Sequence, residues 1–243
     1  MTLLAGGTSA LVSTSAVRAM AFPGDTPVGA LAVMAITSNG SVNPTSVTDD
    51  AAGAGAANSW SMMLTSTNAN NSVTTSIWVC KLTRALSAAN TVTATYASSR
   101  QCHAAVLAGF SDVVTSTALD GQIATATATG DTPAVGPTGD PVAPRVIVLF
   151  CVGSTGSVDG MTPLGTTNVI GAVRSLGGST ATARFTGLAY EYRDDPGPIS
   201  ASATVTNAGN PQSTQWNAGL GTIAVPSNLP PASSDLLLGS IAI

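Results

Sequence analysis

Two stretches of this chain constrain its fold more than any other. Gly24-Asp-Thr-Pro-Val-Gly-Ala-Leu-Ala-Val-Met-Ala-Ile36 is followed, about 115 residues later, by Gly139-Asp-Pro-Val-Ala-Pro-Arg-Val-Ile-Val-Leu-Phe-Cys151. In each, Gly-Asp and Pro end one segment and fix a turn, because Gly tolerates positive φ and Pro sets its own. The run that follows is apolar at odd and even positions alike. A short run of that kind suits a strand buried on both faces, as a central strand between layers must be.

The surrounding sequence reads the same way. "ALVSTSAVRAMAF", "GALAVMAITS", "NSWSMMLTST", "SVTTSIWVCKL", "NTVTATYAS" and "CHAAVLAGF" are matched in order by "GQIATATAT", "PRVIVLFCVG", "NVIGAVRSL", "ARFTGLAYEYR", "ISASATVTN" and "TQWNAGLGTIAV". These runs are rich in Val, Ile, Thr and aromatics and are separated by Gly, Pro, Asn, Asp and Ser. No long window carries a capped helical stripe. The matched order implies a duplicated unit with a period of roughly 110–115 residues. The expectation is an all-β chain of two tandem jelly-roll-like antiparallel β-sandwich repeats, with one merged larger sandwich as the alternative. Repeat 1 is placed at residues 1–114, repeat 2 at 115–226, and an extended C-terminal arm at 227–243. That arm is Pro- and Ser-rich and ends in Leu236, Leu237, Leu238, Ile241 and Ile243. Its end either folds back on its own domain as a last strand, or docks onto another subunit through these five residues.

Charge narrows the function. Only 8% of residues are charged, against the usual ~25%. Lys81, Glu191 and His103 are each the only residue of their type. The net charge of −4 and the scattered arginines speak against nucleic acid, which requires clustered cations. The longest apolar run, Val28 to Ile36, is too short to cross a bilayer. At the N-terminus, Ala19-Met20-Ala21 has the small-x-small form of a processing site. No basic region precedes it, so "ALVSTSAVRAMAF" is expected to be the first strand. A weakly charged, Thr-rich surface provides little repulsion between copies, which suits life inside an assembly or outside the cell, or else reflects a lineage of Ala/Gly/Thr-rich composition.

Residues that could do chemistry are few. His103 lies on an apolar strand, and alternation points it away from Cys102, so the two cannot form a nucleophile and base. No Gly-x-Ser-x-Gly elbow or phosphate-binding loop is present. Asp49-Asp50 and Asp194-Asp195 could offer oxygens to calcium but lack the spacing of a calcium loop, and solvated turns are the plainer reading. Neither zinc nor any other metal or cofactor is expected. Cys80 and Cys102 lie in strands that could be neighbours; with Cys151 they are either one bridge and a thiol, or three buried thiols. Trp60 and Trp216, flanked by polar residues, are candidates for stacking on a sugar.

Several stretches resemble a known class. Val47-Thr48-Asp49-Asp50-Ala51 with Asn58-Ser59-Trp60, Leu86-Ser87-Ala88-Ala89-Asn90-Thr91-Val92-Thr93, and Phe110-Ser111-Asp112-Val113 with Leu119-Asp120 are similar to successive elements of Thr/Ala/Gly-rich β-sandwich repeats. Such repeats occur in minor tail and head-decoration proteins of tailed bacteriophages of actinobacteria, and in some bacterial surface proteins. Asn90 stands where that class has Asp, Asp112 where it has Gly, and Ala118 where it has Pro. The resemblance implies a non-catalytic virion structural protein, assembled in the host cytoplasm. Its implied partners are other virion subunits, whether major capsid or tail proteins, and further copies of itself. A carbohydrate-binding adhesin module recognising a glycan of the host envelope is the alternative function.

Overall fold

The structure, a computed structural model, describes residues 3–225 apart from 12–14, 54–55, 70–71, 101–102, 112–118, 156–157, 165–167, 176–182, 195 and 208–214. The first half forms β1 (Leu3–Leu11), β2 (Ser15–Ala21), β3 (Leu31–Asn39), β4 (Ser46–Asp49), β5 (Ser61–Asn68), β6 (Val73–Lys81), β7 (Thr91–Arg100) and β8 (His103–Phe110). The second forms β9 (Leu119–Thr129), β10 (Ala134–Val135), β11 (Arg145–Thr155), β12 (Val158–Pro163), β13 (Asn168–Ser175), β14 (Arg184–Asp194), β15 (Ala201–Asn207) and β16 (Gln215–Ala224).

Each half makes a five-stranded sheet, β1-β8-β3-β6-β5 or β9-β16-β11-β14-β13, and a three-stranded one, β2-β7-β4 or β10-β15-β12. Every pairing among these strands is antiparallel. The chain passes back and forth between its two sheets, the wrapping path of a jelly roll. The two halves therefore repeat strand for strand, as tandem β-sandwiches.

Side-chain alternation explains the doubly apolar runs. Along β3, Ala32, Met34 and Ile36 point into the first sandwich with Trp78, Val92, Tyr96 and Leu107. Leu31, Val33 and Ala35 point the other way. There they meet Ile147, Leu149 and Cys151 of β11, so the large sheets of the two sandwiches cover one another. The remaining face of β11, with Val146, Val148, Phe150 and Val152, fills the second sandwich against Val158, Phe185 and Val205. The result is four layers and three cores. A central strand of the second or third layer, such as β3 or β11, has no solvent face, and its sequence lacks alternation for that reason.

The large sheets stack with β1 over β13 and β5 over β9, so each edge strand lies on the non-equivalent edge of the other half. The end of β3 meets the β11 and β14 residues Gly153 and Arg184, so β3 and β11 run in the same direction. A pseudo-two-fold axis along the strands exchanges the halves, making the seam isologous like that of a symmetric dimer. One end of the seam is polar. Asn217 donates to the Ser66 and Val73 carbonyls (2.8 and 3.1 Å) and accepts from Thr75 Oγ1 (2.8 Å). Thr186 Oγ1 donates to the Ala104 carbonyl (2.7 Å), and Arg184 Nη2 to Asn39 Oδ1. These bonds cross the seam and so fix the register of one sandwich on the other.

The structure corrects the expected strand list. "ALVSTSAVRAMAF" is not one strand: β1 ends at Leu11 and β2, in the other sheet, starts at Ser15. The counterpart of "GQIATATAT" is accordingly β1. Gly6 and Gly7 lie within β1. A Cβ on Gly6 would crowd Ile170 at 3.0 Å and one on Gly7 would crowd Pro23 at 2.8 Å. The glycines thus permit close approach rather than a turn. The short strands β4, β10 and β12 were not expected.

Candidate functional site

Asp49, Asp50, Asn58 and Trp60 build a loop clamp at the edge of the first sandwich. Asp49, at the end of β4, accepts from Trp60 Nε1 (2.7 Å) with Oδ2, and from Asn58 Nδ2 and the Ala51 amide (both 3.1 Å) with Oδ1. Asn58 Oδ1 accepts in turn from the Thr83 and Arg84 amides (2.8 and 2.9 Å). Arg84 Nη1 donates to the Ala51 carbonyl (3.1 Å). Asp50 accepts from the Thr91 amide (2.7 Å) and Asn90 Nδ2 (3.2 Å), and these bonds, the Thr91 amide first, hold its carboxyl below the usual range. The oxygens considered for calcium are thus engaged in tying loops together, and Asp194 pairs with Arg145 Nε at 2.8 Å.

The tryptophans are not where a sugar could stack. Trp60 is 9% exposed in the first core and Trp216 is 5% exposed in the second, so their expected exposure is not found. Polar flanking residues misled because strand neighbours face opposite ways. His103 is fully buried and stacks on Tyr96 with ring centroids 4.8 Å apart. Cys80 and Cys151 are free, buried thiols, both pushed up to about 12 by burial, and are poor nucleophiles there. No group of three or more His, Cys, Asp or Glu side chains is suited to a metal among the described residues. The candidate docking residues Leu236, Leu237, Leu238, Ile241 and Ile243 lie outside the described residues, as does Cys102.

What remains is surface. The two Gly-Asp-Pro turns precede β3 and β11 and therefore lie at the same pole of the molecule. Each carries a valine in solvent, Val28 at 62% and Val142 at 86% exposure. A groove of about 530 Å³ opens between the two sheets of the second sandwich, where β9 and β10 are the adjacent outer strands. Its lining mixes Ala124 and Ala126 of β9 and Val135 with the hydroxyl-bearing Thr125, Ser200 and Ser202, and no charged side chain enters it. The corresponding place in the first sandwich is built differently. There β2 is seven residues long, and its Arg18 reaches across to donate to Ser9 Oγ at 2.7 Å. The shortness of β10 was not legible in the sequence, because Pro133 and Gly136-Pro137 look like ordinary turn residues. No family model, curated protein or solved structure matches the chain.

Proposed function

We propose that this chain is a structural, non-catalytic component of a tailed bacteriophage particle, in a head-decoration or minor tail role. It binds neighbouring virion subunits and further copies of itself, after assembly in the host cytoplasm. One observation carries the reading: two jelly rolls are fused face to face through a third core, making a four-layered block whose sequence features serve packing and loop ties. Jelly rolls are recurrent capsid and lectin architectures, so the fold supports this reading by analogy and assigns no site. The burial of Trp60 and Trp216 removes the residues on which the glycan-binding alternative rested.

The test is incorporation. Particles purified from infected cells contain the chain at a fixed ratio to the major capsid protein by quantitative mass spectrometry. A chain lacking 227–243 keeps its far-ultraviolet circular dichroism but is lost from particles by an order of magnitude or more. Particles devoid of the full-length chain would sink the reading.

A further inference from the structure

Strand β9 is the outermost strand of its sheet, and no described strand pairs with its outer edge. From Ile123 to Thr129 it contains neither proline, glycine nor charge, and Ile123 is 43% exposed. Sheet edges are usually protected by such residues, by bulges or by covering segments, and an edge lacking them is a template for another strand. The other edges of the large sheets are less open. β1 contains Gly6 and Gly7, and β5 and β13 carry register shifts at Met62/Leu64 and Val169/Gly171. On β9 the ladder shifts only near its start, where Ala143 also bonds to Asp120.

The groove lies directly beside this edge. An added strand is held by main-chain hydrogen bonds, and its specificity comes from pockets that take alternate side chains. Ala124, Ala126 and Ala201 leave room in the groove for branched apolar side chains, which gain by leaving water, and the hydroxyls of Thr125, Ser200 and Ser202 line the rest of it without any charge.

We propose that the edge Ile123–Thr129 of one copy accepts the C-terminal segment Leu236–Ile243 of a neighbouring copy, with Leu237, Ile241 and Ile243 turned into the groove. Lengths match: eight extended residues reach roughly 26 Å and the seven of the free edge about 23 Å. Direction favours a neighbour over the chain's own tail. The chain leaves β16 beside the start of β9, so its shortest return along that edge runs parallel to β9. All described pairings are antiparallel, and a tail from another copy can meet the edge that way. The assignment rests on the self-association included in the proposed function, and names its surface.

The experiment uses full-length chains. An edge-blocked variant, Thr125→Pro, and a tail-broken variant, Leu237→Asp with Ile241→Asp, are each run alone and mixed in sedimentation velocity. Ile123→Lys serves as a second edge variant at an exposed position, and circular dichroism verifies the fold of each. Wild type self-associates, and each variant alone associates about a hundredfold more weakly, a ~2.7 kcal/mol loss. The mixture forms a one-to-one dimer and nothing larger, because it contains one open edge and one intact tail per pair. A mixture that stays monomeric overturns the proposal. So does a monomeric wild type, whether or not the amides of 123–129 are protected from exchange. Loss of the chain from particles with the mixed dimer intact would overturn the virion role and leave this pairing standing.

Discussion

Asn217 occupies a strand position that would ordinarily be apolar, and its three bonds all cross the seam between sandwiches. Replacing it with Ala removes all three bonds, each contributing about 1 kcal/mol, while Thr75 Oγ1 keeps only its 2.9 Å bond to Thr37 Oγ1. We expect Asn217→Ala to lower unfolding free energy in urea by about 3 kcal/mol, and Gly153→Ala to do comparable damage. A Cβ on Gly153 would overlap the Thr75 hydroxyl and crowd Asn217 Oδ1 at 2.5 Å. A loss below about 0.5 kcal/mol for both would show that the seam yields easily. Neither residue stood out in the sequence. Asn in a strand reads as solvent-facing, and only the opposing half, far away along the chain, gives it buried partners.

Among the elements, the β4 loop clamp responds to pH. Asp50 is more acidic in the folded protein, so its contribution to the clamp is present through the neutral range and is lost as pH falls through its depressed folded value. The Thr91 amide resonance should therefore titrate with a midpoint below the ordinary carboxylate value of about 4. Asp50→Asn should abolish that titration; a wild-type midpoint at or above the ordinary value would contradict the clamp. Strands with strong patterns were legible here: β3, β6, β8, β11 and β14 were expected from their apolar runs, and β7 from Thr and larger side chains alternating along "TVTATY". What escaped was decided by context. In β1, Gly6 makes room for Ile170 of the other sandwich and Gly7 for Pro23 of its own, and β10 and β12 are short segments defined by the strand between them.

At the scale of the whole molecule, the halves should behave as one body. Their shared core contains Leu31, Val33, Ile147, Leu149 and Leu188, and truncating a buried Leu or Ile to Ala costs about 2–5 kcal/mol. A protease site introduced within 112–118 should yield fragments that still co-elute in gel filtration, and the uncut chain should unfold in one transition. Separated fragments or two transitions would mean independent beads. The duplication was legible in the sequence, but its mutual burial was not: a doubly apolar strand announces two covers without naming them. The along-strand pseudo-two-fold has a practical corollary. Leu3 pairs beside Phe110, and Val225 leaves beside Arg145, both at the pole of the Gly-Asp-Pro turns. Leu3 and Val225 therefore share one side of the block, so a label joined directly at either of them would start from the same side.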